Sequence, residues 1–377
     1  MDHLRRLLTH HVESNVVPGL VAVVWKTGQL DTVVVGDSIG PQSLVRISSF
    51  TKPVAAAATL ALCDRGRIGI DDPIEKFLPE LANHRVLRHV DAPLDDTEPA
   101  RRPITVRHLL TCTMGFGFPM TPGPHPVMKE QAALGIGLGP PKPGKAHAPD
   151  EWIRRLASLP LMAHPGERWM YDTSFSVLGV LLARACGRSF EAVLRDTILG
   201  PLGMDDTSFW VTQPKLPRLT QCLQAREAGS SETVLDEGSD ASQWAQPPVF
   251  EDAAGGLVST ADDYLKFALM LLNQGRHETT RVLSASSVES MTSNYITADH
   301  RGPASVLLDS RGWGMGVSVA LPPNDDWSRP GRYGWDGGLG TSWLNDPSVN
   351  LSAILISQRF PPAFELFADF WKGVSES

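Results

Sequence analysis

Strand-like segments lie near both ends of the chain, and this arrangement limits the folds that the sequence can adopt. The run GLVAVVWKTGQLDTVVVGD at Gly19–Asp37 has two β-branched stretches around a KTGQ turn, which predicts a hairpin with Gly28 at positive φ. Three further strand-like runs, GMGVSVAL, GTSWLND and NLSAILISQ, lie in the last third. Between the two ends the apolar residues follow mainly helical spacing.

This order predicts an α+β protein with one antiparallel sheet, flanked by helices and built from the N- and C-terminal segments. We expect a discontinuous α/β sheet domain at 1–75 and 255–377, and a mainly helical domain at 76–254. Two stretches of that middle region, 117–149 and 211–250, are rich in Gly, Pro or polar residues and predict long irregular loops that shape a pocket.

The composition excludes some partners and indicates a compartment. Of the 377 residues, 42% are hydrophobic and 20% are charged, and the net charge of −8 argues against nucleic acid, which needs a basic patch. No uncharged apolar stretch approaches the roughly 18 residues of a membrane helix. The first residues, MDHLRRLLTHHVESNVVPG, lack the apolar core of a signal peptide. We therefore expect a cytoplasmic protein without a membrane span.

Two serine motifs compete as candidates for a nucleophile, and the first is GDSIG at Gly36–Gly40. It matches the G-x-S-x-G elbow of α/β-hydrolases, which requires a strand, a sharp turn and then a helix. A strand-like run precedes it, but PQSLVRISS follows, which begins with proline and has no helical periodicity. We therefore interpret Ser38 as a turn residue.

The second motif is the S-x-x-K formed by Ser49 and Lys52 in RISSFTKPVAAA. Pro53 is tolerated only in the first turn of a helix, so the apolar run after it places Ser49 near a helix N-terminus, where free N–H groups stabilise negative charge. The spacing of three puts Lys52 on the same face, one turn deeper. A serine needs an adjacent base to act as a nucleophile, and burial that lowers the pKa of Lys52 would let it take the proton.

RISSFTKP resembles the nucleophile segment of the serine β-lactamase and penicillin-binding-protein superfamily, in its class C-like and family VIII carboxylesterase branch. Other segments resemble that branch in the same order: ITVRHLLTCTMGF, HPGERWMYDTSFSVLGVLLARACG, PLGMDDTSFWV and GGLVSTADDYLKFALMLLN. YGWDGGLGTSW occupies the place of the K-T-G motif. The similarity runs from about Pro18 to about Gln358 and implies a β-lactamase/transpeptidase-like fold, with Ser49 as nucleophile and Lys52 as its partner.

The resemblance also implies a catalytic tyrosine, because Tyr171 falls where the family has the tyrosine of Y-x-N. That tyrosine works with the lysine as general base and then protonates the leaving group. A phenol near an ammonium is expected to have a depressed pKa, which suits a proton relay. Thr173 replaces the asparagine that contacts a substrate amide, so Thr173 is a substrate-binding candidate without an amide donor.

Trp335, Asp336, Gly337 and Gly338 occupy the K-T-G position. Trp335 stands for the lysine that would attract a substrate carboxylate, and its indole offers only an apolar wall and one N–H donor. Asp336 would repel a carboxylate nearby. We predict that Trp335, Asp336 and Gly337 bind substrate. The resemblance implies that the backbone N–H groups of Gly338 and Ser49 form the oxyanion hole.

These patterns predict a serine hydrolase that forms an acyl-enzyme on Ser49, first of all a carboxylesterase for small neutral or apolar esters. A β-lactamase, a D-amino-acid peptidase or a transacylase uses the same intermediate and is the alternative. A catalytically silent homologue that binds a ligand or cell-wall fragment is an alternative of another class. We expect a small-molecule ester or amide as partner, no cofactor, and no metal, since the histidine pairs share no helix face. The natural substrate, acyl chain length and oligomeric state stay open.

Overall fold

The computed structural model describes residues 1–145, 147–225, 233–302, 305–322 and 329–376. No helix within these ranges is long and apolar enough to cross a bilayer. The helices are α1 (Asp2–Glu13), α2 (Thr51–Asp64), α3 (Val106–Leu110), α4 (Pro126–Ala133), α5 (Pro149–Ala157), α6 (Thr173–Cys186), α7 (Phe190–Leu194), α8 (Ala261–Leu272), α9 (Ala285–Thr292), α10 (Ala298–Arg301), α11 (Ser305–Leu308) and α12 (Phe364–Ser375).

The strands are short outside the central sheet. They are β1 (Leu20–Lys26), β2 (Gln29–Val35), β3 (Val45–Arg46), β4 (Arg85–Leu87), β5 (Thr97–Pro99), β6 (Cys222–Gln224), β7 (Thr233–Asp236), β8 (Val258–Ser259), β9 (Arg276–His277), β10 (Thr280–Arg281), β11 (Gly312–Trp313), β12 (Ser318–Val319), β13 (Tyr333–Gly337), β14 (Thr341–Asp346), β15 (Leu351–Ile356) and β16 (Arg359–Phe360).

The central sheet joins strands from both ends of the chain in the order β11-β12-β13-β14-β15-β1-β2, and every neighbouring pair is antiparallel. The β1–β2 hairpin turns on Thr27 and Gly28, which have φ angles of 50° and 94°. Positive φ at both central residues matches the twist of the flanking strands. The predicted α+β fold, with one sheet built from the two terminal segments, is confirmed.

The alternation of side chains along β1 separates two apolar layers. Leu20, Ala22 and Val24 belong to the layer that α1 and α12 cover. Val21 and Val23 point to the other face and join the main core. Because successive strand residues face opposite sides, an alternating run of small and β-branched residues supplies both layers at once.

Helix α2 is surrounded by other elements in the main core, because its residues are small and apolar. Every residue from Thr51 to Leu62 is buried, Lys52 included. A helix that is apolar on all sides is typical of such a central position, and the buried ammonium needs polar partners there. A 3₁₀ turn at Ser48–Phe50 leads directly into the helix. Ser49 thus lies at the entrance of α2, as predicted from Pro53.

The two segments predicted as irregular loops contain some regular structure. Helix α4 lies within 117–149, and strands β6 and β7 lie within 211–250. Strand β6 pairs in parallel with β16, so the middle of the chain adds to a small sheet with the C-terminal segment. Residues 146 and 226–232 lie outside the described residues. The domain boundaries at 75/76 and 254/255 stay a prediction.

Candidate active site

Ser49 lies at the turn between β3 and α2, and the backbone there is unusual. Ser48 has a φ of 45°, in the left-handed region that residues with a Cβ rarely adopt. Ser49 is 9% exposed, and it lines a cavity of about 190 Å³. The strained turn therefore presents the Ser49 hydroxyl to a space that can hold a small ligand.

Two proton-carrying groups contact the Ser49 hydroxyl. Lys52 Nζ donates to Ser49 Oγ at 3.1 Å, and Tyr171 Oη donates to the same oxygen at 2.7 Å. The ammonium of Lys52 also donates to the carbonyl of Ala254 at 2.6 Å and lies 3.5 Å from Asp172 Oδ2. Since these partners replace water around a fully buried ammonium, the charge of Lys52 is compensated in place. The three residues predicted as catalytic therefore lie together.

Aromatic side chains hold the phenol of Tyr171 over the nucleophile. Its ring stacks on Trp169 with the centroids 5.5 Å apart, and Lys52 Nζ lies 4.3 Å from its centroid. The indole N–H of Trp335 donates to Tyr171 Oη at 2.8 Å. Because the Tyr171 oxygen accepts one bond from Trp335 and donates another to Ser49, its orientation is fixed from two sides.

From the sequence we expected lowered pKa values for Lys52 and Tyr171, and both expectations were wrong. Burial by itself lowers the pKa of Lys52, but the acidic neighbours Tyr171 and Asp172 outweigh it, and the net shift is upward. Burial raises the pKa of Tyr171, and the nearby ammonium offsets this only in part. At neutral pH the resting site therefore holds an ammonium and a neutral phenol.

Gly338 lines the same cavity as Ser49, at the end of β13. A Cβ at this position would lie 3.7 Å from Ser48 Oγ, so the Gly338 backbone lies close to the nucleophile turn. Two backbone segments that face one small cavity are the elements from which an oxyanion hole is built. The pairing of Gly338 with Ser49 stays a prediction that this placement favours.

The other four residues, which were predicted to bind substrate, are not among those that line this cavity, and their role in binding stays a prediction. Trp335 is 2% exposed and lies behind Tyr171. Asp336, the next residue of β13, faces the opposite side of the sheet and accepts from Ser342 Oγ at 2.6 Å. A Cβ at Gly337 would lie 2.1 Å from Thr341 Oγ1, so the side of Gly337 on which a side chain would stand is filled by Thr341. Thr173 is buried as the first residue of α6.

The physical reason is that strand and helix geometry divide these residues between faces. Neighbouring residues of a strand point to opposite sides, so Trp335 and Asp336 cannot both face one cavity. Among the residues that line it and that the motif analysis did not single out, four carry a charge or an aromatic ring: Phe118, Asp172, Asp252 and Phe360. Asp172 was detectable, because it directly follows the candidate tyrosine, whereas the other three come from distant loops and a strand.

The surroundings of Ser38 are unlike those of Ser49. It is exposed after β2, beside Gly19, and lines a separate cavity with Thr220 and Gln221. No helix begins between Ser38 and the turn before α2. A nucleophile elbow needs a helix directly after its serine, and the geometry favours the interpretation of Ser38 as a turn residue.

Comparison with known proteins assigns the chain to a family. A family model described as Beta-lactamase matches residues 4–374. Protein Rv1367c of Mycobacterium tuberculosis (strain ATCC 25618 / H37Rv) is 34% identical over 369 residues, covering 93% of this chain and 88% of that protein. Esterase EstB of Burkholderia gladioli is 31% identical over 336 residues, covering 85% of this chain and 79% of that protein.

The fold agrees with solved structures as well. The structure titled EstCE1, a hydrolase with promiscuous acyltransferase activity, has a TM-score of 0.82 at 19% identity and covers 99% of this chain and 98% of that chain. At this identity the likeness concerns the fold alone. With the family model matched over nearly the whole sequence, this chain belongs to the beta-lactamase family.

Proposed function

We propose that this chain is a carboxylesterase that hydrolyses small neutral or apolar esters through an acyl-enzyme on Ser49. The observation that carries the proposal is the position of Ser49 Oγ, within hydrogen-bonding distance of both Lys52 Nζ and Tyr171 Oη in a small cavity. The similarity to esterase EstB at 31% identity supports an ester as the substrate.

In the acylation step, Ser49 Oγ attacks the ester carbonyl carbon and its proton passes to the Lys52–Tyr171 pair. Both groups donate to Oγ in the resting site, so one of them first loses a proton to become the acceptor. The tetrahedral oxyanion accepts hydrogen bonds from the backbone N–H groups of Ser49 and Gly338. The bond to the leaving oxygen then breaks, and Tyr171 returns the proton to the departing alcohol.

In the deacylation step, water takes the place of the alcohol. The same pair accepts a proton from the water as its oxygen attacks the acyl carbon, and Ser49 Oγ leaves and is reprotonated. The indole N–H of Trp335 is directed at the Tyr171 oxygen throughout, which stabilises the phenol oxygen whenever it carries negative charge. Trp335 is therefore a positioning residue in this scheme.

The lining of the cavity favours an ester over a β-lactam or a peptide C-terminus. Both of those alternatives bring a carboxylate close to the scissile bond. In the described part of the chain, the charged side chains that line the cavity are Asp172 and Asp252, and no cationic side chain lines it. A carboxylate would meet repulsion here, whereas a neutral ester would not. The volume of about 190 Å³ suits a small acyl group.

The test is turnover of two chromogenic substrates by the purified protein. We expect p-nitrophenyl butyrate to be hydrolysed with kcat/KM at least about tenfold above that for a chromogenic cephalosporin. Faster turnover of the cephalosporin would assign a β-lactamase instead. No turnover of either substrate, together with no covalent adduct on Ser49, would favour a silent ligand-binding homologue.

A further inference from the structure

The cavity in front of Ser49 has a pronounced charge asymmetry. Asp172 and Asp252 line it, and within the described ranges no lysine or arginine does. Lys52 is fully buried behind Ser49 and Tyr171, and its ammonium already donates to Ser49 Oγ and to the Ala254 carbonyl. A ligand that fills the cavity therefore contacts two carboxylates, while the ammonium paired with Asp172 lies behind the wall.

Asp172 is oriented toward this space rather than toward its own helix. It occupies the N-cap position of α6, where an aspartate usually accepts from a backbone N–H of the first turn, yet no side-chain bond caps this helix. Its Oδ2 lies instead 3.5 Å from Lys52 Nζ, and its side chain is 26% exposed. The carboxylate is thus held beside the nucleophile by the lysine while it stays open to the cavity.

Asp252 is placed differently. Its Oδ1 accepts from Ser176 Oγ at 2.7 Å and from the backbone N–H of Ala254 at 2.9 Å. Burial raises the pKa of Asp252, with a further contribution from Asp172. Of the two, Asp172 therefore presents the more available negative charge to a ligand.

The remaining wall adds groups that favour a cation. Phe118, which is 47% exposed, and Phe360 both line the cavity. The face of an aromatic ring attracts an ammonium or quaternary ammonium group, and a neighbouring carboxylate strengthens that preference. The Tyr171 ring already contacts Lys52 and stacks on Trp169, so the two phenylalanines are the lining rings left for a ligand.

We propose that Asp172 is a specificity-determining residue, and that the cavity prefers esters with an ammonium or quaternary ammonium group over neutral isosteres, and neutral esters over anionic ones. This inference rests on the proposed esterase activity through Ser49, and it extends the substrate class from neutral esters to cationic ones. A unit charge on a ligand that lies a few ångströms from Asp172 changes the binding of that ligand enough to alter kcat/KM by roughly tenfold to hundredfold.

The experiment uses three p-nitrophenyl esters of similar size on the full chain. They are the 4-(trimethylammonio)butyrate ester, the neutral 5,5-dimethylhexanoate ester and the monoester of glutarate. For the unaltered protein we expect kcat/KM to fall in that order, by roughly tenfold per step. If the glutarate ester is turned over as fast as the cationic ester, the inference is overturned while the esterase proposal stands. If none of the three esters is hydrolysed, the esterase proposal itself fails.

The variant Asp172→Asn separates charge from shape, because asparagine has nearly the same size. All three esters use the same nucleophile and base, so a change in the reactivity of these groups cancels in the ratio of cationic to neutral kcat/KM, and this ratio reports the charge that the paired Lys52 and Asp172 present to the ligand. We expect this ratio to fall at least about fivefold in Asp172→Asn and to stay within about twofold in Asp37→Asn, which removes an exposed carboxylate after β2. An unchanged ratio in Asp172→Asn would overturn the assignment.

Discussion

Ser38 and Ser49 each come within three residues of the end of a strand, β2 and β3 respectively, but the surroundings of their hydroxyl groups differ. Ser38 is exposed beside Gly19, after the last strand residue of the hairpin. Ser49 is almost fully buried, with Lys52 Nζ at 3.1 Å and Tyr171 Oη at 2.7 Å from its oxygen. A serine hydroxyl becomes a nucleophile through such partners, so the buried environment decides between two short motifs.

The largest effect is expected when each serine is removed in turn. Ser49→Ala deletes the attacking oxygen, and we expect kcat/KM for p-nitrophenyl butyrate to fall by about 10³-fold or more. Ser38→Ala is the matched control, and its kcat/KM should stay within about twofold of the unaltered protein. Loss of activity in Ser38→Ala, with activity retained in Ser49→Ala, would reverse the comparison and restore the elbow motif.

The next largest loss of activity is expected when the phenol oxygen of Tyr171 is removed. Tyr171→Phe removes the oxygen that lies 2.7 Å from Ser49 Oγ but keeps the ring that stacks on Trp169. Because the proton relay is lost while packing is conserved, kcat should fall roughly 10²-fold to 10⁴-fold, with a smaller change in KM. Steady-state kinetics measures both constants. A kcat near that of the unaltered protein would exclude Tyr171 from proton transfer.

The pH profile tests the protonation of the same pair. The pKa values of Lys52 and Tyr171 are both raised, so the pair keeps both protons at neutral pH, and the base forms as the pH increases. The charged and titratable groups that act on the pair are Asp172, Asp252 and Cys112, and its hydrogen-bond partners are Ser49, the Ala254 carbonyl and the indole N–H of Trp335. We expect kcat/KM to rise about tenfold per pH unit from neutral pH until the pair has lost one proton.

Spontaneous ester hydrolysis also increases with pH, so the rate measured with Ser49→Ala is subtracted at each pH. A corrected kcat/KM that is flat or falls between pH 7 and 9 would contradict the protonation states assigned to the pair.

A smaller loss of activity is expected when the hydrogen bond from Trp335 to Tyr171 is removed. Trp335→Phe removes the N–H donated to Tyr171 Oη and keeps an aromatic ring in the core. Loss of one such bond should lower kcat by about tenfold, with KM nearly unchanged. The matched control is Trp371→Phe, which removes an indole bond to Ser342 Oγ on the other side of the sheet. Equal kcat losses in both variants would indicate a general packing defect.

Much of the fold was predictable because its signals are local. Pro53 and the alanines after it fixed where α2 begins, and the KTGQ turn fixed the first hairpin. Strand-like runs at both ends required a shared sheet. The pairing of β6 with β16 was not predictable, since it joins short segments more than a hundred residues apart with no distinctive pattern.

The three predicted catalytic residues lie together in the structure, whereas the predicted substrate-binding residues of β13 are divided between the two faces of the sheet. Ser49 and Lys52 lie together because their spacing equals nearly one helical turn. Asp336 lies on the opposite face of the sheet, because a strand reverses its side chains at each residue. The rise in the pKa of Lys52 depends on Tyr171 first and then on Asp172, and tertiary contacts bring both to the lysine.

The most direct test of the central claim is to identify the residue that becomes covalently modified. The protein is incubated with a p-nitrophenyl alkylphosphonate, which phosphonylates an activated serine and releases p-nitrophenol. Trypsin cleaves after Arg46 and Arg65 but not between Lys52 and Pro53, so one peptide, 47–65, contains Ser49. Mass spectrometry with fragmentation should place the adduct on Ser49, with no adduct in Ser49→Ala and an unchanged adduct in Ser38→Ala. An adduct on Ser38, or on any residue other than Ser49, would contradict the account.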